Sequence, residues 1–115
     1  MEAVGQMKLS IKDEYTNLPG PRYIKQGPHS GEDFRNTLLE PRFQEAVRRG
    51  EPLVIDLDGG YGYGTSFLEE AFGGLARLHG TEPVLKVLEF KSVEEPYLVQ
   101  DIKRYIRECR GAGKK

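Results

Sequence analysis

The sequence predicts a small α/β domain in which a mixed sheet of about four strands packs against helices. Short apolar runs typical of strands alternate along the chain with longer segments whose apolar residues repeat at helical spacing. Glycine and proline residues separate these segments and mark the turns between elements. The later strands are joined through helices, and such crossover connections predict that these strands run parallel.

The first part of the chain predicts two antiparallel strands. Residues 7–12 alternate between apolar and polar side chains, a pattern typical of a half-exposed strand. Turn-forming residues at 17–21 precede a second short strand pattern at residues 22–26. We therefore expect a loose hairpin near one edge of the sheet.

A helical region follows this hairpin. Ser30, with Asp33 three residues later, has the spacing of a helix N-cap. Pro41 then interrupts the helical pattern, and proline inside a helix costs about 3 kcal/mol. We expect either a kink or two short helices, with the second helix closing at Gly50.

Residues 52–58 form the predicted central strand, and the glycine-rich residues 59–64 form a loop after it. The strand is rich in aliphatic residues and is expected to be covered on both faces. Ser66 and Glu69 have the spacing of a capping box, so the next helix is expected to begin at Ser66. A strand, a loop and a helix N-terminus in series gather unpaired backbone N–H groups, which favour an anion or a charged modification.

The last third of the chain predicts one more strand between two helices. Gly73 and Gly74 lie inside the first helix, and each costs about 1 kcal/mol relative to alanine, so we expect close packing there. Gly80 should end that helix, and residues 84–90 resemble a strand. Ser92, with a glutamate three residues later, should start the final helix.

Length and composition indicate one domain over residues 1–115, with flexible termini at 1–6 and 111–115. Lysine and arginine number 17 against 18 acidic residues, so no basic surface predicts a nucleic-acid partner. No run approaches the roughly 20 apolar residues of a membrane span, so no membrane partner is expected. Cys109, the only cysteine, cannot form an internal disulfide, which favours a cytoplasmic location.

The glycine loop matches a cofactor-binding pattern. Asp58, Gly60, Gly62 and Gly64 fit the D-x-G-x-G-x-G loop of S-adenosylmethionine-dependent methyltransferases, and Glu89 is expected at the end of the following strand, where such folds place an acid for ribose hydroxyls. A small-ligand module is therefore one hypothesis. The other interpretation is that glycine simply permits a tight turn, and we favour it.

No metal site or catalytic centre is expected. His29 and His79 are far apart in sequence, and neither has a partner at metal-ligand spacing. The loop lacks the Gly-Lys-Ser/Thr ending of a P-loop, so nucleotide hydrolysis is unsupported. We expect a non-enzymatic protein that needs no cofactor.

Hydroxyls and aromatic rings near the loop suggest regulation and protein contact. A phosphoryl group on Ser66 or Thr65 would add about −1.5 to −2 charge at a helix N-terminus, where negative charge is tolerated. Tyr61 and Tyr63 are candidates for partner contact because tyrosine is enriched at interfaces. The simpler alternatives are that Ser66 only caps its helix and that one or both tyrosines fold back onto the core.

Several segments of the chain resemble the bacterial STAS-like domain family, whose function is largely uncharacterised. The resemblance rests on residues 62–75, on residues 55–58 ahead of them and on residues 20–23 upstream, and it spans about residues 7–105. This family is similar to the STAS domains of anti-sigma factor antagonists and sulfate transporters. The resemblance implies a mixed sheet with helices and no catalysis.

The resemblance also implies a mode of regulation. In the antagonists, a serine in an Asp-Ser-Ser-Gly motif is phosphorylated by an anti-sigma factor that is also a histidine-kinase-like ATPase. That serine corresponds to Ser66 and the preceding one to Thr65, while Gly64 and Phe67 replace the flanking aspartate and glycine. We expect a regulatory domain that docks its partner through Tyr61, Gly62, Tyr63, Gly64 and Phe67.

Overall fold

The computed structural model describes residues 7–109, and the predicted flexible termini lie outside this range. Its sheet has three parallel strands in the order β1 (Met7–Ser10), β2 (Leu53–Asp56) and β3 (Leu88–Lys91). The α/β class and the parallel later strands are confirmed. The prediction of about four strands, with an antiparallel pair at the start, is wrong for the described residues.

Helices connect and flank these strands. They are α1 (Ile11–Glu14), α2 (residues 31–49), α3 (residues 65–79), α4 (Thr81–Val87) and α5 (Tyr97–Glu108). A 3₁₀ turn spans Ile24–Gln26.

The predicted hairpin fails because its two halves find other partners. The Ser10 side chain accepts a hydrogen bond from the Asp13 N–H and starts α1, so the strand stops at Ser10. Further along, the first turn of α2 donates a backbone hydrogen bond from Gly31 to Pro21, at the end of the predicted turn, at 2.9 Å. It donates a second from Glu32 to Arg22, the first residue of the predicted second strand, at 3.0 Å. This segment is therefore a loop that holds the start of α2.

The helical run α2 is continuous through Pro41, so of the two predicted alternatives, a kink or two short helices, the pair of separate helices is wrong. Ser30 is confirmed as its N-cap, because its side chain accepts a hydrogen bond from the Asp33 N–H at 2.9 Å. Residues Arg35–Leu39 are π-helical just before Pro41. A π turn is wider than an α turn, so it makes room for the proline ring without breaking the helix. Gly50 ends α2 with a left-handed φ of 68°, as predicted.

The helix α3 also contains a π turn, at Glu69–Gly73, and an ion-pair network lies beside it. The Arg35 guanidinium donates to the Glu70 carboxylate at 2.8 Å and to the Glu70 carbonyl at 2.6 Å. A Cβ atom on Gly74 would lie 2.3 Å from the Arg35 Nη1 atom. The close packing predicted at this glycine is confirmed, and its neighbour is a charged side chain.

The last predicted strand, residues 84–90, is wrong over its first half. Residues Thr81–Val87 form α4, and β3 begins only at Leu88, which pairs with Leu53. Pro83 lies in the first turn of α4, where the missing N–H has no consequence. Gly80 precedes α4 and ends α3, as expected.

The final helix begins later than predicted. Ser92 donates its hydroxyl to the Glu95 carbonyl at 2.7 Å, and α5 starts at Tyr97 behind Pro96. The serine therefore shapes the loop before the helix instead of capping the helix itself.

The two faces of the sheet differ. Leu9, Leu53 and Ile55 lie on one face and are fully buried in the hydrophobic core. On the other face of β2, Val54 and Asp56 are only half-buried, and their neighbours on β3, Glu89 and Lys91, are exposed. The prediction that the central strand is covered on both faces is therefore wrong.

No helix within residues 7–109 has both the length and the apolar character needed to cross a membrane.

Candidate functional site

The carboxyl ends of the three parallel strands meet at one edge of the sheet, which is where open α/β sheets usually bind their ligands. The glycine loop after β2 lies between the loop after α1 and the loop after β3. Hydrogen bonds connect these three loops. The same hydrogen bonds fix the positions of several predicted site residues.

Asp58 fixes the glycine loop to the loop after β3. Its carboxylate accepts hydrogen bonds from the N–H groups of Val93 and Glu94, at 3.1 and 2.9 Å, and from the Lys91 ammonium at 3.1 Å. The Glu94 N–H makes the largest contribution to lowering the pKa of Asp58. The aspartate is thus ionised and fully engaged by its own chain.

Two backbone N–H groups of the glycine loop complete the connection. Gly59 donates to the Glu94 carboxylate at 2.9 Å, so Asp58 and Glu94 bind reciprocally. Tyr61 donates to the Asn17 carbonyl at 2.8 Å, which attaches the loop to the segment after α1. The loop is therefore held from both sides.

Tyr63 folds back onto the protein, as one of the two interpretations of the tyrosines predicted. Its hydroxyl donates to the Leu57 carbonyl at 3.0 Å, and its ring centroid lies 6.1 Å from that of Phe67. Burial, together with the negative charges of Asp56 and Asp58, raises the pKa of Tyr63. This tyrosine anchors the loop and presents little surface to a partner.

Tyr61 points the other way and is 80% exposed. Three more large apolar side chains on the adjoining segments are also exposed: Leu18 at 64%, Val93 at 73% and Tyr97 at 59%. These residues lie on or next to loops that hydrogen bonds connect, and a contiguous group of exposed apolar side chains often marks an interaction site. We refer to these four residues, with Thr65 and Ser66, as the carboxyl-edge surface.

The hydroxyls of Thr65 and Ser66 are exposed at the start of α3. The N-cap of this helix is Gly64, so the predicted capping box of Ser66 and Glu69 is wrong. Neither hydroxyl has a hydrogen-bond partner among the described residues, and Glu69 instead pairs with Arg22 at 2.5 Å and Arg77 at 2.7 Å. Both residues are exposed to solvent.

Phe67, a predicted contact residue, is fully buried, and its ring stacks on Phe34 with centroids 5.8 Å apart. The backbone of Phe67 also packs tightly against α2, since a Cβ on Gly31 would lie 2.5 Å from the Phe67 carbonyl oxygen. It therefore supports the helix start from below and cannot touch a partner. Of the other predicted contacts, Gly62 is half-buried and Gly64 is exposed.

The structure does not gather the residues of the small-ligand hypothesis. Gly60, Gly62 and Gly64 lie together in the loop, but the carboxylate of Asp58 is occupied by loop contacts. Glu89 is the second residue of β3 and pairs with Val54, four residues before Asp58. At about 3.3 Å per residue, this separates Glu89 from the loop by roughly 13 Å.

Glu89 instead borders a groove of about 790 Å³ at the opposite edge of the sheet, between the end of α2 and α4. The predicted position of Glu89 at the end of its strand is therefore wrong.

The two histidines are apart, and the described residues contain no group of side chains arranged to hold a metal ion. His79 contacts the Glu40 carboxylate at 2.8 Å at the far end of α3. His29 lies in the loop before α2, with its ring edge-on to Tyr15.

The sequence reasoning missed three residues of the carboxyl-edge surface: Leu18, Val93 and Tyr97. Leu18 and Val93 are isolated apolar residues in polar segments, whereas Tyr97 precedes the apolar residues Leu98 and Val99 and gives no such signal. That isolation was the available signal, because an apolar residue outside the core pattern of a helix or strand is a candidate for exposure.

Comparisons with known proteins show the family of this chain. The family model described as "STAS-like domain of unknown function (DUF4325)" matches residues 30–98, which include α2, β2, the glycine loop and α3. Neither the curated proteins nor the solved structures gave a match to this chain. Because the matched segment covers more than half of the chain, this protein belongs to the family of STAS-like domains of unknown function.

Proposed function

We propose that this domain is a non-enzymatic regulatory module that docks a protein partner through its carboxyl-edge surface. The observation that carries the proposal is the group of exposed apolar side chains at Leu18, Tyr61, Val93 and Tyr97. Tyrosine and other large apolar residues supply much of the binding energy at protein interfaces.

The way the loops are held supports the same conclusion. The Asp58–Glu94 contacts and the Tyr61–Asn17 hydrogen bond hold these loops in one arrangement before any partner arrives. A surface that is already ordered loses less conformational entropy on binding, so more of the contact energy appears as affinity.

The sharper form of the proposal is switching by phosphorylation at Ser66 or Thr65, both exposed beside Tyr61. A phosphoryl group there would place about two negative charges at the start of a helix and on the edge of the docking surface. The family resemblance suggests that the partner is a histidine-kinase-like ATPase of the anti-sigma type. We place the exchange in the cytoplasm.

The test compares matched tyrosine and leucine variants in affinity purification from native cells. Tyr61→Ala is expected to lose the partner that the wild-type chain recovers. Leu78→Ala is the control, because Leu78 is 58% exposed on α3 but lies near the helix end remote from the glycine loop. Loss of the partner in both variants, or in neither, would contradict docking at the carboxyl edge.

Phosphorylation has its own readout. Intact-mass analysis of the purified chain should show one added phosphate that disappears in Ser66→Ala or in Thr65→Ala. If the partner is recovered but no phosphate is found under any growth condition, docking stands and switching fails.

The small-ligand module receives less support, because Asp58 is occupied and Glu89 is remote from the loop. Calorimetry with S-adenosylmethionine and ATP is expected to give no heat. Tight binding that is abolished by Gly62→Val would favour that module instead.

A further inference from the structure

Side chains cover one outer edge of the sheet, at β1, and leave the other outer edge, at β3, open in the described residues. On β1, the outward carbonyl of Lys8 accepts a hydrogen bond from Arg42 at 3.2 Å, and the outward N–H of Ser10 donates to Glu14 at 3.1 Å. Arg42 and Glu14 are also paired with each other at 2.5 Å. These side chains occupy the backbone groups that another strand would use, which is a known way to protect an edge.

The edge of β3 has no such cover in the described part of the chain. The Lys91 carbonyl accepts a hydrogen bond from Leu57, so the backbone groups of Lys91 face β2. Because these groups alternate in direction along a strand, the N–H and C=O of Phe90 face outward. Within residues 7–109, no strand lies beyond β3 in the sheet.

The residues on either side of Phe90 are self-complementary. Glu89 precedes it and Lys91 follows it, and both side chains are exposed on the open face of the sheet. In an antiparallel pair centred on Phe90, Glu89 of one copy lies directly opposite Lys91 of the other, and this happens twice. Opposite charges facing each other across an antiparallel pair are stabilising.

The hydrogen bonds follow the same symmetry. In an antiparallel pair, two residues directly opposite each other either exchange both N–H···O bonds or exchange neither. The outward groups of Phe90 place it in the first class, so a two-fold axis at Phe90 satisfies them. The Phe90 ring is half-buried and packs edge-on against Phe72 at 5.7 Å, so a second Phe90 would cover its remaining surface.

We propose that β3 is a homodimerisation edge, on which a second copy of this chain pairs antiparallel about Phe90. The result is a continuous sheet of six strands with the helices of both copies on one face. Such an interface is isologous and closes after two subunits, because each copy uses the one edge that is open among its described strands. It is separate from the carboxyl-edge surface and does not depend on the function proposed for that surface.

A charge-swap series measured by sedimentation equilibrium tests this proposal. The wild-type chain should be a concentration-dependent dimer. Glu89→Lys and Lys91→Glu, tested singly, replace both attractive pairs by repulsive ones and should each weaken association about tenfold to thirtyfold. The double variant Glu89→Lys/Lys91→Glu restores opposite charges and should recover association to within about threefold of wild type.

Two controls keep the result specific. Lys8→Glu changes an exposed charge on the blocked edge and should leave association unchanged. Because Lys91 also binds Asp58, thermal melting of each variant shows whether the monomer remains folded. The pairing also predicts, by NMR, that raising the protein concentration slows exchange of the Phe90 amide proton.

Several results would overturn the proposal. One is a chain that stays monomeric up to millimolar concentration. Another is a dimer whose dissociation constant does not change in Glu89→Lys, and a third is a double variant that associates more weakly than both single variants. A dimer dissolved by Tyr61→Ala but not by the charge reversals would place the contact at the carboxyl-edge surface instead.

Discussion

The Gly74→Ala variant tests whether the ion pair between Arg35 and Glu70 depends on close packing of α2 against Gly74 of α3. The added methyl group would lie 2.3 Å from the Arg35 Nη1 atom and 3.1 Å from its Cζ atom, so the guanidinium must move. Arg35 is only 12% exposed, and the same nitrogen donates to the Glu70 carboxylate and carbonyl. Little space is available for a new position of this side chain.

The expected cost follows from those contacts. Hydrogen bonds to charged groups contribute about 1.5–3 kcal/mol each, and the displaced arginine weakens two of them. Alanine returns about 1 kcal/mol of helix propensity. We therefore expect a net loss of about 2–5 kcal/mol in the free energy of unfolding. At about 4 °C per kcal/mol for a domain of this size, the melting temperature should fall by roughly 8–20 °C.

Urea and thermal unfolding of a double-mutant cycle provide the assay. In an Arg35→Ala background the clash is absent, so Gly74→Ala should become neutral or slightly stabilising. Gly64→Ala is the control, because nothing lies within 4 Å of its added methyl group and its φ of −77° suits alanine. If Gly74→Ala is harmless in the wild-type chain, or equally harmful without Arg35, the role given to this glycine is refuted.

Three further predictions concern the helix starts, the loop and acid pH. Ser30→Ala should lower the free energy of unfolding by about 1 kcal/mol, whereas Ser66→Ala should change it by less than about 0.5 kcal/mol. Equal effects of the two variants in chemical denaturation would contradict Ser30 as the N-cap of α2 and Gly64 as the N-cap of α3. Tyr63→Phe removes the hydroxyl that holds the loop and should speed amide exchange at Gly59 and Tyr61 without unfolding the core. The lowered pKa of Asp58 means that its contribution to stability is present above its unfolded pKa of about 3.9 and is lost as pH falls through the lower folded value. Asp58→Asn should therefore reduce the change of the free energy of unfolding with pH in that acid range. An unchanged pH dependence would show that Asp58 does not contribute to it.

Local signals predicted the elements that depend on local chemistry. Ser30 and Gly50 mark the two ends of α2 because a side-chain cap and a left-handed glycine act within a few residues. The central strand at 53–56 was recognisable for a similar reason, since a short aliphatic run between turn residues suits few other structures.

Elements whose structure depends on distant partners were not predictable. Residues 22–26 have a strand-like pattern, but Arg22 accepts a backbone hydrogen bond from the first turn of α2, and Ile24–Gln26 form a 3₁₀ turn. Residues 84–87 suit a helix and a strand equally, and the pairing of Leu88 with Leu53 decides where the strand begins. Tertiary contacts thus override weak local preferences.

The sequence predicted the place of the glycine loop and of the two hydroxyls in the fold, but not which side chains beside them point outward. The glycine loop and the two hydroxyls lie between the end of a strand and the start of a helix. The spacing of residues in the sequence is enough to indicate this position. The roles of Tyr61 and Tyr63 could not be separated, because only the fold decides which ring points outward. Phe67 was predicted as a contact because it follows the two hydroxyls in sequence. The turn of the helix points its side chain into the core instead.

The loop that carries Tyr61 is held by backbone groups and by the side chains of neighbouring residues, while the Tyr61 ring makes none of those contacts. Its identity can therefore change without remodelling the loop around it. Related domains could acquire different binding preferences by exchanging this one side chain on an otherwise constant platform, which makes the position a natural one for evolving or engineering selectivity.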